Sequence, residues 1–133
     1  TKNAWGTKTS QLDSEIFQLT IEDARHIDSL VFCYVFKESK KKNGLRQQGM
    51  RSSCPIIYQS WNDYYKQAIG YIDSETKHRL VFIQYIHKSM IEKENIHHPG
   101  WKNQFIDVSG GCSNFWSIVF DMDRGKILQW QIN

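Results

Sequence analysis

Between residues 104 and 132 large apolar side chains return at every second position. Trp116, Ile118, Phe120 and Met122 alternate with Ser117 and Asp121, and Leu128, Trp130 and Ile132 alternate with Gln129 and Gln131. Successive side chains of a strand point to opposite faces, so the pattern predicts two strands, each turning one face to a core. Phe115 and Val119 keep the second face of the first of these from being fully polar. A shorter run, residues 104–108, precedes them. Ser109-Gly110-Gly111 and the stretch 121–125 separate the three runs, and glycine takes the positive-φ geometry of a tight reversal without steric cost. The expectation is a C-terminal meander of three antiparallel strands. Its register is well specified, because a one-residue slip would turn every large side chain to water.

Upstream the period changes. Residues 15–19 form a short candidate edge strand. Thr20 then stands where an N-cap would, with Glu22 and Asp23 in the following turn, where carboxylates complement the positive end of the helix dipole. Ile21, Ala24, Ile27, Val31 and Tyr34 or Val35 recur every three to four residues, which predicts a helix laid on a sheet. Residues 30–36 are apolar all round and rich in β-branched and aromatic side chains, so a strand competes there, and helix is preferred. Residues 37–53 read as a basic loop, and Pro55 bars residues 54–58 from a central strand. Residues 66–72 alternate Gln67, Ile69 and Tyr71 with Lys66, Ala68 and Gly70 and predict a strand. After the polar turn 73–78, residues 79–87 are apolar on both faces, as in a strand covered on both sides. Residues 88–100 carry Met90, Ile91 and Ile96 among charges and end at Pro99-Gly100, a long excursion. The fold class that follows is α+β: one main helix packed on a curved four- to five-stranded antiparallel sheet.

A chain of 133 residues fits one domain, here residues 1–133 with 1–13 as a loosely held lead-in. Eighteen aromatic residues argue for a folded core, and no repeat divides the chain. The formal net charge of +3 does not imply a nucleic-acid partner. No apolar run is long enough to span a bilayer. The chain opens on Thr1, as either a removed export leader or a trimmed form would leave it; export to the periplasm or cell surface is the expectation. Three cysteines, Cys33, Cys54 and Cys112, allow one disulfide with a free thiol or three buried thiols.

Several residues invite chemistry. Cys112 follows two glycines, and a turn thiol beside His87 or His97 could serve as a nucleophile, but no spacing supports the pairing and a buried or disulfide-bonded sulfur is expected. His97 and His98, with His87, could ligate a metal, yet adjacent histidines diverge in an extended segment and no further ligand sits at ligand spacing. Asp107, Asp121 and Asp123 adjoin turns or strand ends, where carboxylates serve the backbone, so no acid–base pair is read from them. Lys37, Lys40, Lys41, Lys42, Arg46 and Arg51 lack interleaved aromatics and read as a solvated face. Trp61, Tyr64, Tyr65 and Trp101 lie at strand beginnings, where exposed rings would form a recognition patch for a protein or a sugar, although core packing explains most of them equally well. Neither cofactor nor metal is called for.

The Tyr-rich strand with Tyr64, Tyr65, Gly70 and Tyr71, the Trp101-led run, the Gly110-Gly111 turn followed by Phe115 and Trp116, and the closing strand ending at Asn133 together resemble small exported, lipoprotein-type domains of gut anaerobic bacteria. The resemblance covers about half the chain, and Ser109 replaces the Asp that often precedes the two glycines. It implies an exported domain and brings no activity with it. The layout is also similar to cystatin-like and NTF2-like domains, in which a sheet curls around a helix. On these grounds the expected role is a non-catalytic binding or inhibitor module for an envelope or extracellular protein or glycan. The alternative is an NTF2-like enzyme or carrier with a pocket on the concave sheet face near Tyr85, His87 and Asp107.

Overall fold

Thr20 starts the main helix. In the computed structural model, which describes residues 15–41, 54–93 and 112–132, its Oγ1 accepts the N–H of Asp23 at 3.0 Å, and its carbonyl accepts that of Ala24. The helix, α1, spans Ile21–Lys41 and buries Ile27, Val31, Val35 and Ser39, a stripe at four-residue spacing. The apolar run 30–36 is therefore helical. Ile21, expected on the stripe, is 67% exposed. Six residues before Ile27 it lies about 120° round the helix, off the covered face. The basic stretch is helical as far as Lys41, not a loop from Lys37 onward: Ser39 continues the stripe, and Lys40 and Lys41 sit where the dipole is negative. Residues 42–53 lie outside the described residues, as do the lead-in 1–13, the run 104–108 and the glycines of the 109–111 turn.

Five strands make one antiparallel sheet in the order β1-β2-β3-β4-β5: β1 Glu15–Phe17, β2 Tyr64–Ile72, β3 Arg79–His87, β4 Phe115–Asp121 and β5 Lys126–Ile132. The two-sided apolar run is central, as its pattern requires. Val81, Ile83 and Tyr85 of β3 join Trp116, Ile118 and Phe120 of β4 beneath Ile27, Val31 and Val35 of α1. On the other face Ile86 and Phe115 pack with Ile91 of a short helix, α2 (Lys88–Lys93), which occupies the first part of the expected excursion. β4 has β3 on one side and β5 on the other.

One residue departs from its expected facing. Alternation places Leu128 inward, yet it is 47% exposed. Val119 pairs with Gln129 but Phe120 with Ile127, so Leu128 is the extra residue of a bulge and Ile127 takes the inward place. The inward positions of Trp130 and Ile132 hold, each partly buried against the core.

Candidate functional site

A disulfide fixes the ground on which the candidate site stands. Cys54 and Cys112 are bonded across a separation of 58 residues, and two further links lie beside them: Ser113 Oγ donates to the carbonyl of Pro55, and Tyr64 Oη donates to the carbonyl of Ser113 at 2.6 Å. The segment that follows Cys54 is thereby clamped to the beginning of β4. It then meets α1 through rings, Tyr58 edge-on to Phe36 at 5.1 Å and Trp61 edge-on to Phe32 at 5.1 Å.

Between the two lies an open groove of about 650 Å³. The helix contributes Asp28, Ser29, Phe32 and Cys33; the facing segment contributes Tyr58, Gln59, Trp61, Asn62 and Asp63. Phe32, Tyr58 and Trp61 are each partly exposed. Trp61 rests on the core, 5.4 Å from the Tyr85 ring and 5.6 Å from Trp116, and those two, which face each other across β3 and β4, stack at 3.8 Å and 4°. A rigid aromatic column thus holds the groove floor in place.

Both groove carboxylates already have partners. Asp28 accepts from Tyr85 Oη at 2.9 Å on one oxygen and from Lys66 Nζ at 2.8 Å on the other. Asp63 pairs with Lys88 at 3.2 Å. Burial, with the Asp28 charge behind it, pushes the Tyr85 hydroxyl well above its ordinary range, so it stays a proton donor to Asp28. Lys66 also lies over the Trp61 ring, 5.8 Å from its centre. Cys33, the free cysteine, is exposed on the groove's helical side.

The four aromatic residues singled out by sequence are not one patch. Trp61 lines the groove; Tyr64 is buried in the helix-side core; Tyr65 packs against the cluster on the opposite face; and Trp101 lies outside the described residues. Tyr64 and Tyr65 part because neighbours in a strand face opposite ways. Cys112 is oxidised in the disulfide and so is no nucleophile, and His87 Nδ1 lies 2.8 Å from Ser89 Oγ. Asp121 and Asp123 serve the turns: Asp121 binds His78 and two backbone N–H groups, and Asp123 binds Arg79. Asp107, His97 and His98 lie outside the described residues, among which no cluster of three His, Cys, Asp or Glu could hold a metal. Tyr85 is buried beneath α1, which covers its side of the sheet.

Asp28, Phe32, Gln59, Asn62 and Asp63 were not visible as site residues. The one signal for the helical pair is spacing: Asp28 and Phe32 are four apart and each directly follows a stripe residue, Ile27 and Val31, so they flank the covered face. No family model, curated protein or solved structure matches the chain. Among the described residues no helix is long and apolar enough to cross a membrane.

Proposed function

We propose that this chain is a small exported binding or inhibitor-like module, without catalytic activity, that holds an envelope or extracellular protein or glycan in the groove between α1 and residues 58–63. The observation that carries the reading is the convergence there of three part-exposed rings, Phe32, Tyr58 and Trp61, with the polar side chains of Ser29, Gln59 and Asn62. Aromatic surface with polar groups placed around it is what recognition sites are made of, and the volume falls within the roughly 300–1,000 Å³ of small-ligand sites. The Cys54–Cys112 disulfide supports export, since such bonds persist in oxidising compartments. The bulge at Val119 and Phe120 supports a sheet curved around α1, in the cystatin-like manner, because a bulge bends its strand.

Cys33 makes the reading testable. The protein is passed over immobilised envelope polysaccharides and extracellular proteins, untreated and after a bulky maleimide has been attached to Cys33. A member of the panel should retain the untreated protein, and the adduct should weaken that retention at least tenfold. Retention that ignores the adduct, or none across the panel, refutes the assignment.

A further inference from the structure

Resting on the groove as a binding surface, we infer that its ligand is neutral and polyhydroxylated: a short, uncharged oligosaccharide. The charge arrangement selects against the other classes. Among the described residues the groove holds two carboxylates, and no Lys or Arg lines it. An anionic ligand, a phosphate or a sulfated or uronic sugar, would meet the two carboxylates, and the lysines beside them, Lys66 and Lys88, are already paired with them. A cationic peptide would find both carboxylates taken, Asp28 by Lys66 and Tyr85, Asp63 by Lys88, and would have to displace a lysine to gain a pair.

What remains uncommitted is uncharged. Among the described residues the side-chain amides of Gln59 and Asn62, both exposed on the groove wall, make no hydrogen bond. A carboxamide offers donors and an acceptor together, and a sugar hydroxyl does the same, so each can satisfy the other whichever way the hydroxyl turns. The part-exposed rings supply the second half of such a site, apolar surface for the C–H faces of a pyranose. The aromatic column of Trp61, Tyr85 and Trp116 keeps that surface preformed, so little ordering accompanies binding. Asp28 and Asp63, held by their lysines, are fixed acceptors with lone pairs to spare.

Cys33 reports on occupancy. All three cysteines are accounted for, and this is the one not bonded in a disulfide. The full chain is treated with iodoacetamide in the presence of uncharged hexasaccharides (α- and β-linked glucans, xylan and N-acetylglucosamine oligomers), a uronic-acid hexasaccharide and a lysine-rich peptide. At least one neutral sugar should slow alkylation of Cys33 fivefold or more, saturably. Asn62→Ala and Gln59→Ala, both at exposed positions, should each weaken that protection about tenfold with melting temperature unchanged. Protection by the charged sugar or the peptide alone overturns the inference and leaves the groove a binding surface. Retention on a target that leaves Cys33 as reactive as before overturns the groove itself. No protection by any neutral sugar at millimolar concentration likewise rejects the inference.

Discussion

The hydroxyl of Tyr85, on the central strand, donates to Asp28 Oδ1 on α1 at 2.9 Å, and so ties the helix to the sheet beneath the groove. The contact is shielded, since Tyr85 is wholly buried and stacked on Trp116. Tyr85→Phe keeps the stack and removes the bond. A hydrogen bond to a charged acceptor contributes on the order of 2 kcal/mol, and urea denaturation near neutral pH should show a loss of about that size. The pH dependence has a definite sign. Burial raises both Tyr85 and Tyr64 above the ordinary 10.0, so their contribution is complete below pH 10 and is lost as the pH climbs beyond it. The variant should blunt this alkaline loss, and an unchanged slope above pH 10 would contradict the assignment.

At the opposite end of the charge scale stands His78, whose Nδ1 lies 2.9 Å from Asp121 Oδ2. Asp121 is 3% exposed although it is the last residue of β4. Burial alone would raise its carboxyl. The N–H of Arg124, then His78, then the N–H of Asp123 outweigh that and hold it below its ordinary 3.8. Asp73 is lowered too, by the hydroxyl and N–H of Thr76. A depressed carboxyl stabilises above its unfolded value, and the contribution disappears as pH falls through the lower folded one. Stability should therefore decline below about pH 4. Asp121→Asn should cost roughly 2 kcal/mol at pH 7 and much less at pH 2, measured by denaturation at both. Equal costs at the two pH values would show that charge is not the cause.

The two hairpin turns share one backbone hydrogen bond and differ in the residue that donates it. Lys77 N donates to Asp73 O, and Gly125 N donates to Asp121 O, both at 2.8 Å. Each donor sits at positive φ, 65° for Lys77 and 69° for Gly125. Lysine there carries a Cβ penalty that glycine does not. Lys77→Gly should stabilise by about 0.5–1 kcal/mol after the added freedom of the unfolded chain is counted. Gly125→Ala should destabilise by about 0.5–1 kcal/mol once the stiffer unfolded chain is counted, and since a Cβ at Gly125 meets nothing within 4 Å, the strain behind that cost lies in the backbone. Thermal melts of both variants check the pair of signs.

These elements were legible to different depths, for physical reasons. Period-two and period-four patterns exposed α1, β3, β4 and β5, because burial on one or two faces dictates residue type directly. The Thr20 cap was readable for the same local reason. Leu128 was misread because a bulge depends on the partner strand and leaves alternation in its own strand untouched. The site was hidden more completely. Trp61 stood out as an aromatic residue at a strand beginning, and Asp28 and Phe32 flank the covered face of α1, but the three meet only when the disulfide and the ring contacts bring residues 54–63 against α1, which no local pattern marks. Tyr64 and Tyr65 looked equivalent in sequence, and one peptide unit sends them to opposite sides of the sheet.

Gly70 is matched to Phe17. They are register partners of β2 and β1, and a Cβ on Gly70 would stand 2.5 Å from the Phe17 ring. Gly70→Ala must push that ring aside, and β1, three residues long, has little else to hold it. A half-buried phenylalanine displaced from the core loses roughly 1 kcal/mol. Hydrogen exchange should speed up in β1 while β3 and β4 stay protected. A variant that keeps β1 protected would mean the ring has another place to go.

The disulfide should govern both stability and groove. A cross-link closing a loop of 58 residues restricts the unfolded chain by about 4 kcal/mol in the loop-entropy account. The Cys54→Ser/Cys112→Ser double variant should lose close to that amount in denaturant unfolding. Its further effect is local, because the bond and the neighbouring Ser113–Pro55 and Tyr64–Ser113 contacts anchor the segment that carries Tyr58 and Trp61. Freed at Cys54, that wall should move away from α1 under conditions where the sheet is still folded. Cys33 would then be alkylated several times faster than in the parent protein, at a denaturant concentration well below the midpoint of the variant. An unaltered Cys33 rate in a folded double variant would show that the ring contacts with Phe32 and Phe36 alone suffice to hold that wall against α1.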